Sequence, residues 1–239
     1  MIYEIAGLRV QLKNRSNYTD YFCRDYLSSD QTSPCDMEAE VTKDEFLEER
    51  SKTTDPDYYV ENVCLYRTIC RKMLSFNRFL LHAAVLEFDR NAYAFLGKSG
   101  AGKSTHTSLW LDHVQGAEIL NGDKPIVEKA DDGFYAYGTP WMGKEGRGKK
   151  GRAELKAFCF IEKAKENKIE RLSVSEFTTR LFTQLLLTAS EEEMSALLAF
   201  ADELVKKVPA YVLYCDISED AVRTSFEILT GKKYGEVRK

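Results

Sequence analysis

A glycine-rich stretch in the middle of the chain, residues 97–104, constrains the fold more than any other part of the sequence. It reads Gly-Lys-Ser-Gly-Ala-Gly-Lys-Ser and fits the pattern G-x-x-x-x-G-K-[ST] of phosphate-binding loops without a mismatch. That pattern belongs between a strand and a helix. The apolar run 92–96 predicts the strand, and residues 105–111 predict the helix. We therefore expect a strand–loop–helix unit that binds the phosphates of a nucleotide.

The residue types in this loop suit phosphate oxygens and a divalent cation. Glycines let the backbone curl with its N–H groups pointing inward, and the following helix adds its own unpaired N–H groups. Lys103 is expected to reach the β- and γ-phosphates, and the Ser104 hydroxyl to ligate Mg²⁺. The alternative is a glycine-rich turn with an exposed lysine, which the predicted strand and helix disfavour. The predicted nucleotide-binding residues are Gly97, Ser99, Gly100, Ala101, Gly102, Lys103, Ser104 and Thr105.

Composition limits the classes of partner. The chain has 239 residues, of which 44% are hydrophobic and 30% charged, as in soluble globular proteins. A net charge of −4 gives no reason to expect nucleic acid or an anionic membrane as the main partner. No apolar run approaches a membrane span, and the N-terminus lacks a signal-peptide pattern. We expect a cytoplasmic protein, and we leave open whether it forms a homo-oligomer.

The cysteines predict no metal site of their own. None forms a C-x-x-C pair, and a structural zinc site needs closer spacing than theirs. In a reducing compartment they are expected to be small buried hydrophobes. The only metal expected is the Mg²⁺ that accompanies the nucleotide. The six cysteines are Cys23, Cys35, Cys64, Cys70, Cys159 and Cys215.

The first 77 residues predict a small α/β subregion. Loose apolar alternation over 2–12 indicates one or two strands, and a capping box opens a short helix over 42–51. A longer helix follows, with Asp55 as its predicted N-cap and Pro56 in its first position. Its predicted buried stripe consists of Tyr59, Val63, Tyr66, Cys70 and Met73.

Three pairs of apolar runs predict hairpins, and hence a mixed or largely antiparallel sheet. A hairpin directly before a phosphate loop is unlike the common P-loop NTPases, whose corresponding strand lies in a parallel sheet. An ordinary mechanical or signalling P-loop NTPase is therefore a disfavoured alternative. The three predicted pairs are 79–88 with 92–96, 125–129 with 134–137, and 155–161 with 169–172.

The last third of the chain is predicted to be mostly helical, with one strand over 209–215. Ser175 is the expected N-cap of a helix ending at 187, and Ser190 that of a helix ending at 205. Asp216 opens a final helix ending at 229.

Asp123 is the best candidate for a carboxylate near the phosphates. Phosphoryl transfer needs, besides the loop, an acid for the metal and a group that orients or deprotonates the acceptor. Asp123 follows a short apolar strand after the loop helix, where such an acid is often found. The alternative is an Asn-Gly-Asp turn with an exposed acid.

His82 is predicted in the middle of the apolar strand that precedes the loop strand. A lone strand histidine is more often a core residue than a catalyst. Its place near the loop makes a functional role equally well supported, because a histidine beside a catalytic carboxylate tunes that acid. His106 and His113 are interpreted as structural.

A glycine-spaced basic segment, residues 138–152, follows the second hairpin. It is either a mobile lid whose cations close over phosphates or a substrate, or a solvated basic loop. Lys144 and Arg147 are the candidates for stabilising charge on a transferred group.

With these residues placed, the chain resembles the HPr kinase and phosphoenolpyruvate carboxykinase superfamily, and above all the small HPr-kinase-related proteins of bacteria. The loop by itself is generic, whereas its order with the histidine before it and the acid-plus-proline segment after it is more specific. The resemblance covers about residues 79–172 and rests on segments 81–83, 97–105, 120–125 and 137–144.

The resemblance implies an α/β fold with a mixed, largely antiparallel sheet of the carboxykinase and HPr kinase type, flanked by helices. It implies a single kinase-like domain over 1–239, made of an N-terminal α/β subregion over 1–77 and a P-loop core over 78–239. In such enzymes the histidine matching His82 contacts the acidic motif matching 121–123. The residues matching Lys103 and Ser104 serve the phosphates and Mg²⁺.

One departure from the family pattern bears on activity. Relatives typically carry paired aspartates, whereas here Gly122 takes the first position and leaves Asp123 alone. If the missing acid is the general base of the family, phosphoryl transfer is expected to be slow, or another group must deprotonate the acceptor. Carboxykinase activity is not expected, because those enzymes are longer and need a second metal site. No HPr-docking segment is recognisable, so a protein acceptor is not assured.

The sequence thus leads to a Mg²⁺- and ATP-dependent kinase that phosphorylates a hydroxyl of a small molecule, peptide or protein. Lys103 and the loop amides hold the phosphates, Ser104 and Asp123 the metal, and His82 orients Asp123. The rival hypothesis is a nucleotide-binding regulatory module with little or no transfer, and Gly122 is its main support.

Overall fold

The computed structural model describes residues 1–185 and 190–239. The chain divides into two compact units, Met1–Phe79 and Leu80–Lys239. That both belong to one kinase-like domain over 1–239 stays a prediction.

The N-terminal unit contains a three-stranded sheet in the order β1-β2-β3. Ala6 and Gly7 both have positive φ, as the tight turn between β1 and β2 requires. The predicted strands and the capping box at Thr42 are confirmed. The elements are β1 (Ile2–Ile5), β2 (Leu8–Lys13), α1 (Asn17–Phe22), β3 (Met37–Glu40), α2 (Lys43–Arg50) and α3 (Asp57–Met73).

Two details predicted for α3 are wrong. Pro56 is the N-cap and makes no side-chain cap bond, so neither it nor Asp55 has the predicted position. In the predicted buried stripe Tyr59 is exposed, and Val63 and Tyr66 are half-buried, whereas Cys70 and Met73 are buried as predicted. The buried face starts at Val60 instead of Tyr59. Polar residues also lie on the buried face, so the apolar pattern does not mark it clearly. One of them is Glu61, whose carboxylate accepts the backbone N–H groups of residues 15 and 16 at 2.8 and 2.9 Å.

A mixed sheet of nine strands in the described residues has eight of its strands wholly within Leu80–Lys239, and its first strand begins at Arg78. The order is β4-β8-β9-β10-β6-β5-β7, with β12 on β10 and β11 on β12. Strand β10 runs parallel to β6 and β12, whereas the pairs β5–β6, β5–β7, β8–β9, β9–β10 and β11–β12 are antiparallel. The strands are β4 (Arg78–Leu80), β5 (Ala84–Phe88), β6 (Asn91–Leu96), β7 (Glu118–Asn121), β8 (Ile126–Lys129), β9 (Phe134–Tyr137), β10 (Arg152–Lys163), β11 (Lys168–Arg171) and β12 (Ala210–Cys215).

The first two predicted hairpins are confirmed, and the third is wrong. Asp89 and Arg90, both with positive φ, form the turn that joins β5 to β6. Strand β6 therefore has an antiparallel neighbour, β5, on one side and a parallel neighbour, β10, on the other. Strand β12 lies between β10 and β11, because its apolar residues require a covered position whereas polar β11 suits the edge.

His82 does not lie in a strand. Strand β4 ends at Leu80 and β5 begins at Ala84, so the predicted run 79–88 is broken around the histidine. The apolar residues on both sides are buried without belonging to one continuous strand. Burial, rather than strand pairing, explains the apolar pattern.

Four longer helices complete this unit in the described residues. Their N-caps include Ser173 and Ser218, so the predicted caps Ser175 and Asp216 are each two residues off. Residues 186–187 of the first predicted C-terminal helix lie outside the described residues. No helix in the described ranges is long and apolar enough to cross a membrane. The helices are α4 (Lys103–His113), α5 (Val174–Phe182), α6 (Glu191–Lys207) and α7 (Glu219–Thr230).

Candidate functional site

The glycine-rich loop joins the end of β6 to the start of α4, as the sequence predicts. Gly97, Gly100 and Gly102 have φ of +149°, +78° and +108°, a region that favours glycine. A Cβ on Gly97 would lie 2.9 Å from that of Ala101, so the curl leaves no room for a side chain. The loop thus forms a cradle lined by backbone.

The start of α4 supplies free donors to this cradle. The His106 amide donates to Gly102 O at 2.9 Å, the first helical bond. The amides of Lys103, Ser104 and Thr105 have no acceptor inside the helix, which leaves them available to an anion.

Lys103 folds back over the loop. Its Nζ donates to Gly97 O at 2.9 Å. Burial lowers the pKa of Lys103, the charge of Asp123 opposes that shift, and the charge of Lys124 adds to it. These interactions place the loop lysine within the electrostatic reach of both Asp123 and Lys124.

Asp123 and His82 form a pair. His82 Nε2 lies 3.2 Å from Asp123 Oδ1, and Lys124 Nζ contacts Asp123 Oδ2. Burial alone would raise the pKa of Asp123, but hydrogen bonds and charge from His82 and Lys124 outweigh it and lower this pKa to about 2. Asp123 is therefore ionised at neutral pH. No motif in the sequence points to Lys124.

A buried amide fixes the Asp123 turn. Asn121 is fully buried, and its Oδ1 accepts the backbone N–H groups of Asp123 and Lys124 at 2.9 and 2.7 Å. Its Nδ2 donates to Thr139 Oγ1 at 3.0 Å, and that hydroxyl donates to Lys124 O at 2.7 Å. Sequence reasoning assigned no such role to Asn121 or Thr139, although Asn before Gly-Asp is a signal for this kind of turn.

The main chain around His82 is also fixed by hydrogen bonds, like the Asp123 turn. The amides of Leu81 and Ala83 donate to Pro125 O and Asp123 O, each at 3.0 Å. The His82 amide donates to Gln184 O at 3.0 Å. These bonds, rather than a strand, present the imidazole to Asp123.

The basic segment is attached to β7 along its backbone. Gly148 bridges to Asn121, and the Lys149 amide donates to Leu120 O at 3.1 Å. The sequence predicted either a mobile lid or a solvated loop, and neither prediction included this attachment to β7. Its tip, residues 143–147, is exposed, and so are Lys150 and Arg152 beyond it.

The two predicted cations of the tip, Lys144 and Arg147, lie near different parts of the site. Gly143 lies against Asp123, since a Cβ on it would be 2.8 Å from Asp123 Cβ, and Lys144 follows with an exposed side chain. Arg147 Nη1 donates to Ser108 Oγ at 2.8 Å. Ser108 lies one turn after Ser104 on the same face of α4, so Arg147 reaches the Ser104 side of the helix.

Gly122 has no room for a side chain. A Cβ there would lie 2.8 Å from Met142 O and 3.0 Å from Arg147 O. The basic segment thus occupies the space that a first acid of a pair would need.

The donors at this site fit a magnesium nucleotide. The backbone cradle and Lys103 suit phosphate oxygens. The Ser104 hydroxyl and the Asp123 carboxylate are hard oxygen donors, and Mg²⁺ completes its shell with phosphate and water. Within the described ranges, no three His, Cys, Asp or Glu residues cluster as a self-sufficient metal site.

Comparisons with known proteins add little to this geometry. No family model matches the chain, and no curated protein matches it. Among solved structures the chain is similar to the Hpr(Ser) kinase/phosphatase from Coxiella burnetii, at 12% identity and a TM-score of 0.35. That match covers 64% of this chain and 93% of the other. Such a likeness is too distant to assign an activity, so the superfamily expected from the motifs stays a prediction.

Proposed function

We propose that this chain is a Mg²⁺- and ATP-dependent kinase that transfers the γ-phosphoryl group to a hydroxyl of a small molecule, peptide or protein. One arrangement carries the proposal: a glycine cradle between β6 and α4, bonded by Lys103 through Gly97 O at 2.9 Å, together with a carboxylate, Asp123, that His82 Nε2 holds at 3.2 Å. The charge of Asp123 also acts on the pKa of Lys103. A glycine turn with an exposed lysine would not need that carboxylate.

Each residue has a defined task in this proposal. The loop amides and Lys103 hold the phosphates, and Ser104 with Asp123 hold the metal. Mg²⁺, when bound, would neutralise charge on the β- and γ-phosphate oxygens. His82 keeps Asp123 oriented, since a carboxylate fixed by a neighbour binds its metal in one geometry.

The cations of the basic tip act on the transferred group. Arg147 reaches the face of α4 that carries Ser104, and Lys144 follows the glycine packed against Asp123. A guanidinium or ammonium near the γ-phosphate stabilises the charge that spreads over its oxygens during transfer.

Phosphorus NMR of Mg-ATP with the protein and a small-molecule extract of bacterial cells tests this function. We expect a new phosphoester resonance together with ADP, and neither with Lys103→Ala protein. A phosphoester that forms equally with the variant contradicts the assignment. ATP left intact by the wild-type protein, even with peptide and protein acceptors added, also counts against it.

A nucleotide-binding regulatory module is the second candidate. Gly122 favours it, because the lone Asp123 must serve the metal and leaves no second acid for the acceptor. Calorimetry separates the two candidates: tight binding of Mg-ATP without transfer to any acceptor supports the module.

A further inference from the structure

Protein groups already engage both oxygens of the Asp123 carboxylate. His82 Nε2 lies 3.2 Å from Oδ1, and Lys124 Nζ contacts Oδ2. The carboxylate is half-buried, with 23% of its side chain exposed, so solvent screens these contacts only in part. A divalent cation entering beside an ammonium group is repelled by it. The Lys124 contact therefore opposes metal binding at Asp123, and the metal binds more readily once that contact is released.

Lys124 is the partner that can move. The backbone hydrogen bonds on both sides of His82 fix the base of its short side chain. Lysine instead carries its charge on a flexible four-carbon stem. The Lys124 main chain is pinned by Asn121 and Thr139, so a change of side-chain rotamer alone would release the carboxylate.

The released ammonium would stay close to the phosphates. The charge of Lys124 contributes to lowering the pKa of Lys103, so the two side chains lie within electrostatic reach. Lys103 in turn lies on the glycine cradle, through its bond to Gly97 O. A lysine that leaves Asp123 thus finds new anionic partners without leaving the site.

We propose that Lys124 is an internal counter-ion of Asp123, which gives way to the divalent cation and then pairs with the phosphate oxygens of the nucleotide. This inference rests on the proposed function, because it takes Asp123 as a metal ligand. It gives Lys124 two opposite effects: it weakens binding of the metal alone and strengthens binding of the nucleotide.

Binding of Mn²⁺ to the full chain tests the exchange without any assay of turnover. Free Mn²⁺ is measured by electron paramagnetic resonance, first without nucleotide and then with a non-hydrolysable ATP analogue. The variant is Lys124→Met, which keeps most of the stem and removes the charge, with Lys124→Gln as a second choice. Lys129→Met is the matched control, because Lys129, at the end of β8, is a partly exposed lysine paired with the carboxylate of Glu203 on α6.

For Lys124→Met we expect Mn²⁺ alone to bind roughly fivefold tighter, and the analogue with saturating Mn²⁺ to bind roughly tenfold weaker. Lys129→Met should change neither. Unchanged or weaker Mn²⁺ binding in both Lys124 variants overturns the exchange, and so does unchanged analogue binding.

The failures of the two proposals can be told apart. If the wild-type protein binds the analogue and the Lys124 variants behave like it, the exchange is wrong and the proposed function stands. If the wild-type protein binds no analogue, the proposed function is wrong, and the second role of Lys124 falls with it.

Discussion

At the residue scale, His106 illustrates a polar group placed in an apolar core. It lies on α4 and is 2% exposed, with Nε2 3.0 Å from Ser225 Oγ on α7. Trp110 Nε1 donates to the same hydroxyl at 2.9 Å. The ring therefore links two helices, which agrees with the structural role predicted from sequence.

The burial of His106 makes stability depend on pH. Burial lowers the pKa of His106 to about 4, from 6.5. As the pH falls, the unfolded chain protonates this histidine before the folded chain does. The contribution of His106 to stability is therefore complete above pH 6.5 and is lost as the pH falls toward 4. We expect a loss of about 3 kcal/mol in the free energy of unfolding over this window.

Urea unfolding between pH 7 and 4 checks this expectation. His106→Gln should remove most of that slope, and His113→Gln should leave it as in the wild-type protein. A slope that persists unchanged in His106→Gln would show that other groups cause it.

At the element scale, the packing of the basic segment on β7 determines what the site can contain. Met142 O and Arg147 O fill the space beside Gly122. Gly122→Asp should therefore cost about 2 kcal/mol of stability, and should bring no gain of transfer, because its Cβ meets two backbone carbonyls. Gly122→Ala should cost nearly as much.

Thermal unfolding of these variants measures the cost. Gly133→Ala is the matched control, because Gly133 also lacks a positive φ and the nearest atom to a Cβ there is 4.0 Å away. We expect its melting temperature to change little. A Gly122→Asp protein as stable as the wild type, with faster transfer, would instead indicate a decayed site that the acid restores.

The turn after β7 depends on one amide. Asn121→Ala removes the acceptor of two half-buried backbone N–H groups and one donor to the Thr139 hydroxyl, and should cost about 3 kcal/mol. Asn91→Ala, which removes only an exposed bond to Asp89 O, should cost far less. Urea unfolding compares the two, and equal losses would contradict the role given to Asn121.

At the scale of the whole molecule, local signals were predictable and long-range pairings were not. The phosphate loop, the helix after it and the strand before it follow from residues close together in sequence. The insertion of β12 between β10 and β11 joins segments far apart, and no turn or periodicity encodes it.

The same division holds for the candidate site. Asp123 and His82 could be named from their residue types and their order around the loop. The lack of space beside Gly122 could not be predicted, because it arises where residues 138–151 pack against β7. The same tertiary contact brings Asn121 to Thr139. Lys124 was missed because a lysine next to an acid is ordinary on a surface, and only the fold shows that its ammonium contacts the half-buried Asp123 carboxylate and helps to lower its pKa.

Titration calorimetry with a non-hydrolysable ATP analogue, in Mg²⁺ and in EDTA, tests the central claim most directly. That claim is that the glycine loop and Asp123 form one magnesium-nucleotide site. We predict binding that Mg²⁺ tightens, at least about tenfold weaker binding in Lys103→Ala, and little Mg²⁺ dependence in Asp123→Asn. Affinity that is the same in Lys103→Ala, or equally Mg²⁺-dependent in Asp123→Asn, would contradict the account.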